Sequence, residues 1–116
     1  MNHKESQIQR QAVSWFRLQF PNHVILSIPN GGARNKTEAS ILKGEGALAG
    51  AADLFIACPS FDKLIHGLWI ETKSDVGKQT KSQKEFQQKV VTFGYAYRII
   101  RSLDEFIELT SRYLKK

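Results

Sequence analysis

The spacing of apolar and polar positions predicts, in order, helix, strand, helix, strand, strand, helix, strand, helix. Over residues 3–20, Ile8, Ala12, Trp15 and Phe16 recur at helical spacing, with Gln19 on the same stripe, and Pro21-Asn22 ends the helix. Val24–Ile28 reads as a short strand. A turn over 29–35 follows, with glycines that permit positive φ. Thr37 is placed to cap a short helix over 38–42, and Gly44, Gly46 and Gly50 then loosen the chain. The apolar runs 53–57 and 66–73 read as strands. They are joined by a loop through Pro59, Phe61 and Asp62 that suits an antiparallel pair. Ser82 and Glu85 have the spacing of a capping box before a helix with Phe86, Val90 and Phe93 inward and Gly94 as its stop. Residues 95–100 form another strand. Ser102 and Glu105 open a last helix with Phe106, Leu109 and Tyr113 inward. The expectation is an α/β fold in one domain over residues 1–116, a small mixed sheet flanked by helices.

Two polar residues fall on apolar stripes. Glu5 lies on the side of Ile8 and Ala12, and Gln83 on the side of Phe86 and Val90. A carboxylate on a buried face needs a partner, whereas one in a first turn suits the helix dipole. The pattern leaves both readings of Glu5 open. An inward Gln at a helix start either satisfies local backbone groups or reaches a site.

The sharpest chemical signal is Asp53 at the start of one apolar run and Glu71-Thr72-Lys73 at the end of the next. Residues two apart on a strand share a face, so Glu71 and Lys73 project together. If the strands pair, Asp53 joins them. Two carboxylates suit a hard cation such as Mg²⁺ or Mn²⁺, which prefers oxygen ligands and leaves room for water and phosphate. A neighbouring lysine can orient the attacking water, take its proton or stabilise negative charge. The competing view is that these charges merely end buried strands. His66 lies at the far end of its strand from Glu71 and reads as a surface histidine.

Charge sharpens the choice of partner. The chain has 17 Lys and Arg against 11 Asp and Glu, a net charge of +6, which points to a polyanion. Arg34, Lys36 and Lys43 surround the Gly-rich turn and Lys78 and Lys81 follow the acid pair, as candidate contacts to DNA phosphates. No aromatic pattern favours single strands, so duplex or branched DNA is expected. The apolar Trp15, Phe61, Trp69, Tyr97 and Tyr113 offer material for an interface. With no apolar run of membrane-spanning length, no signal peptide and one cysteine, Cys58, read as a buried filler, a cytoplasmic protein is expected.

The chain also resembles the VRR-NUC family, a branch of the PD-(D/E)xK nuclease superfamily. The resemblance is carried by Glu5 with Ile8-Gln9, by Asn30-Gly31-Gly32 with Arg34, and by Gly50-Ala51-Ala52-Asp53-Leu54. It continues through Gly67-Leu68-Trp69-Ile70-Glu71-Thr72-Lys73, Ser82 with Phe86, and Gly94. No single segment decides it; their order along nearly the whole chain does. Ala52 departs from the proline usual before the first acid, at a position that is not a ligand. The resemblance implies a restriction-endonuclease-like core, with Asp53, Glu71 and the Thr72 carbonyl as metal ligands. It further implies Lys73 as catalytic lysine, Glu5 as a helix-borne acid acting on the metal directly or through water, and Gln83 as a helix-borne glutamine of the site. Small stand-alone members resemble phage and prophage proteins that cut branched DNA, such as Holliday junctions, as homodimers within a bacterial host. A two-fold pair also suits a two-stranded symmetric substrate. Readings from other classes are a non-catalytic DNA-binding module, a nuclease without junction preference, and an RNA nuclease.

Overall fold

The computed structural model describes residues 2–29 and 35–116. Asn30, Gly31, Gly32 and Arg34 lie outside the described residues, and with them the phosphate-cradling reading of the Gly-rich turn. The elements follow the expected order: α1 His3–Gln19, β1 Ile25–Ser27, α2 Lys36–Gly44, β2 Leu54–Ile56, β3 Leu68–Thr72, α3 Lys81–Thr92, β4 Ala96–Ile100 and α4 Leu103–Leu114.

The strands form one mixed sheet in the order β1-β2-β3-β4. β1–β2 and β2–β3 pair antiparallel, and β3–β4 pair parallel. α3 is the crossover that the parallel pair requires. One face of the sheet carries Leu54, Ile56, Leu68, Ile70 and Ile100, packed with Ile8, Ala12 and Phe16 of α1 and Phe106 and Tyr113 of α4. The Phe16 and Phe106 rings meet edge-on at 6.2 Å. Each fully buried phenylalanine contributes about 1.5–3 kcal/mol through burial. The opposite face carries Trp69, Tyr97 and Ile99 against Phe86 and Val90 of α3.

Several local expectations need correction. Trp15 is half-buried and Gln19 exposed, and Phe20 continues the buried stripe instead. α2 is capped by Asn35, whose side chain accepts from the Glu38 N–H, so Thr37 sits inside the helix. α3 is capped by Thr80 with Gln83 as its reciprocal partner, not by Ser82 with Glu85. Phe93 is 75% exposed, because the helix stops there and Gly94 turns the chain away with φ +95°. Ser102 does cap α4, but the Glu105 carboxylate accepts from the Arg101 N–H rather than closing a box on Ser102. Of the aromatics offered for an interface, Tyr97 and Tyr113 are buried, whereas Phe61 is exposed. His66 is exposed and Cys58 is buried.

Candidate active site

The register of β2 and β3 assembles the acid pair. Leu54 lies opposite Ile70, so one further step of an antiparallel ladder sets Asp53 opposite Glu71. The Thr72 N–H donates to Asp53 Oδ2 at 2.8 Å and fixes the aspartate against β3. Thr72 thus contributes its amide to Asp53, while its hydroxyl is buried without a partner among the described residues. Glu71 is 2% exposed and Lys73 is also buried. Lys73 takes no part in the ion pairs of the described residues, which are Lys4–Asp75 and Arg112–Glu108.

Gln83 holds Glu71 from α3. Its Nε2 donates to Glu71 Oε2 at 3.2 Å, while its Oε1 accepts from the Thr80 N–H at 2.8 Å. The two readings of Gln83 are therefore both realised: one end of the amide caps the helix and the other reaches the acid. Gly50 sets this contact. Its φ is +87°, and a Cβ there would lie 2.3 Å from the Ser82 carbonyl oxygen, so only glycine lets the segment before Asp53 press on the start of α3.

Glu5 arrives from α1. Its Oε2 accepts from the Ser74 N–H at 3.0 Å and from Asn2 Nδ2 at 3.1 Å. It is both a first-turn acid and a residue tied to the segment after Lys73. Gly77 completes the corner, since a Cβ there would meet Glu5 Oε2 at 3.3 Å and the Lys73 side chain at 3.4 Å. Arg101, at the end of β4, donates to the Ser74 and Gly77 carbonyls at 2.6 and 2.8 Å. Sequence reasoning missed Arg101. Its only signal is its position after β4, which gains meaning once β3 and β4 are known to run parallel.

Electrostatics disfavour full ionisation of the acid pair. Burial, then the neighbouring Asp53, push the Glu71 carboxyl up to about 9. Asp53 is also raised, by burial first and by the Glu5 charge, against the lowering effect of hydrogen bonds with Glu71 and the Thr72 N–H. Lys73 lowers both. Like charges on buried neighbours resist ionisation together. Glu71 Oε1 is buried with no hydrogen-bond partner among the described residues. An orphaned carboxylate oxygen beside a second carboxylate is a donor set that fits a hard divalent cation, which commonly uses one or two carboxylates and keeps its remaining positions for water. No group of three His, Cys, Asp or Glu side chains converges among the described residues. Glu5, bonded to the Ser74 N–H, acts on the pair through its charge, which raises both carboxyls.

Of the expected DNA contacts, Lys36, Lys43, Lys78 and Lys81 are exposed, and Arg34 lies outside the described residues. No helix among the described residues is long and apolar enough to cross a membrane.

No protein-family model and no curated protein matches the chain. Among solved structures, a VRR_NUC domain protein superposes with a TM-score of 0.77 at 26% identity, covering 97% of this chain and 89% of that one. The mixed sheet with its flanking helices is the arrangement that the sequence resemblance implied, and the chain shares the fold of that VRR_NUC domain protein.

Proposed function

We propose that this protein is a Mg²⁺- or Mn²⁺-dependent DNA endonuclease, one domain over residues 1–116, that cuts branched DNA as a homodimer. The observation that carries the reading is the Asp53–Glu71 pair, with Glu71 Oε1 accepting from no N–H or hydroxyl among the described residues, and the buried Lys73 whose charge acts on both acids. The VRR_NUC likeness supports a nuclease-type domain.

Asp53 and Glu71 would hold the ion, with the Thr72 carbonyl as a further ligand and Glu5 acting through water. When bound, the ion supplies charge neutralisation at the phosphate and acidifies water for attack on phosphorus. Lys73 orients that water and, as the ammonium, opposes the negative charge growing on the phosphate oxygens, or, as the neutral amine, accepts the water's proton. The new P–O bond forms as the P–O bond to the leaving sugar oxygen breaks, and that oxygen takes a proton from solvent. Gln83 keeps Glu71 from rotating away. Ser74 does the same for Glu5. Lys36, Lys43, Lys78 and Lys81, with Arg34, supply backbone contacts that carry no sequence preference. For the dimer, α2 buries none of its residues against the described chain and leaves Ile41 54% exposed, which makes it a face free to meet a second copy.

The test incubates wild type and Asp53→Ala with labelled four-way junction, flap, duplex and single-stranded DNA, each with Mg²⁺, Mn²⁺ or EDTA. Metal-dependent junction cutting by wild type alone is expected. Equal cutting of every DNA keeps the site but removes branch preference. Binding without cutting in any metal moves the assignment to a recognition module.

A further inference from the structure

A groove of about 650 Å³ runs along α1 and is closed on its far wall by Ser27 of β1. Ser6, Arg10, Val13 and Arg17 of α1 line it. Their spacing is that of one helical stripe, which begins at the residue after Glu5. On the other wall, Ser27 is followed by Ile28, whose N–H donates to the Asp53 carbonyl at 2.8 Å. Both walls therefore lead to the acid site, one at Glu5 and the other at Asp53.

The charge on the lining is of one sign, and Val13 and Leu18 supply its apolar part. Arg10 and Arg17 are exposed and take no part in the ion pairs of the described residues. Ser6, Ser14 and Ser27 add hydroxyls, and no carboxylate lines the groove among the described residues. Gln9 also lines it. Two guanidiniums with hydroxyls and no acid suit phosphates, which arginine binds through its planar fork. From Glu5 to Arg17 the helix rises about 18 Å.

Resting on the nuclease reading above, we infer that this groove guides the phosphodiester backbone of one DNA strand into the site, with Arg10 and Arg17 each neutralising a phosphate. It adds a DNA track on the α1 side of the site, distinct from the lysines of α2 and of the segment after β3.

The experiment measures binding of a labelled duplex and a four-way junction in EDTA over a series of salt concentrations. The proteins are wild type, Arg10→Ala/Arg17→Ala, Arg10→Lys/Arg17→Lys, and Lys89→Ala/Lys115→Ala as a pair of equal charge outside the groove. The alanine pair is expected to reduce the slope of log affinity against log salt by about 2, at about 0.9 per phosphate contact. The lysine pair restores that slope, and the control pair moves it little. Both arginines are exposed, so melting temperature stays at the wild-type value. If the alanine pair shifts the slope no more than the control pair while wild type still cuts DNA, the groove assignment falls and the nuclease reading stands. If wild type neither binds nor cuts DNA with any metal, both fall.

Discussion

Arg101 reaches across from the end of β4 to hold the Ser74 carbonyl at 2.6 Å, and the N–H of that same Ser74 carries Glu5 at 3.0 Å. The guanidinium bonds Gly77 as well, so one side chain closes the turn whose Gly77 lies beside both Glu5 and the Lys73 side chain. A hydrogen bond from a charged donor contributes about 1.5–3 kcal/mol. Arg101 touches no reacting atom in this arrangement; it is a positioning residue. Arg101→Ala is expected to lower kcat for DNA cleavage about tenfold, equivalent to about 1.4 kcal/mol, with KM near wild type. Arg101→Lys, which keeps the charge but loses the fork, should recover part of it. Steady-state kinetics check this, and a change confined to KM would place Arg101 in DNA binding instead.

The acid pair predicts an unusual pH dependence of stability. Glu71 has an ordinary value of 4.5 and is pushed to about 9 in the fold, so the folded chain keeps a proton that the unfolded chain releases. Between those values the unfolded state binds fewer protons, and stability falls as pH rises. The contribution is fully present below about pH 4.5 and is lost on approach to about pH 9, opposite to a salt-bridged carboxylate. In EDTA, melting temperature should therefore decline from about pH 5 to about pH 9. Glu71→Gln, which cannot ionise, should melt higher than wild type at pH 8 and show a flatter profile. Parallel profiles for the two proteins would remove the raised Glu71.

The same pair predicts how metal acts on folding. A cation that binds only the native acids stabilises by mass action. Saturating Mg²⁺ or Mn²⁺ should raise the wild-type melting temperature at pH 8 and leave Asp53→Ala and Glu71→Gln unmoved. Calorimetric scans with each ion against EDTA check this independently of cleavage. An equal rise in all three proteins would locate the metal elsewhere.

Much of this site was legible before the structure because it rests on strand periodicity. The antiparallel pairing of the strands beside Asp53 and Glu71 follows from alternation and the connection between them, and the register has that pairing. Glu5 and Gln83 stood out as polar residues on apolar stripes, and both have partners that explain them. The true cap of α3 was hidden because Thr80 and Ser82 offer the same chemistry two residues apart; Gln83 decides between them by bonding back to Thr80. Arg101 was invisible for a deeper reason. Its role depends on β4 lying parallel beside β3, a long-range pairing that no local pattern encodes. The arginine stripe of α1 was overlooked because a polar helix face is ordinarily just solvated, and only the groove closed by Ser27 gives it a second wall.

Gly50 joins stability to chemistry. At φ +87° an alanine is strained on its own account, and its Cβ would also sit 2.3 Å from the Ser82 carbonyl oxygen and 2.9 Å from the Gln83 nitrogen. Those atoms are backbone at the start of α3, so the relief available is displacement of the helix start from the strand that carries Asp53. Gln83 then loses its reach to Glu71, a contact of 3.2 Å with little slack. Gly50→Ala is expected to cost about 1–3 kcal/mol of stability, the range for an occupied rare backbone region. Cleavage should fall further than Gln83→Ala alone causes, because Asp53 and Glu71 are both disturbed. Gln83→Glu separates the contributions: its carboxylate can still cap Thr80, preserving the helix, but it sets a further negative charge on Glu71. Urea melts and metal titrations of the three variants check this. If Gly50→Ala matches wild type in both, the close approach of Gly50 to α3 does not govern the site.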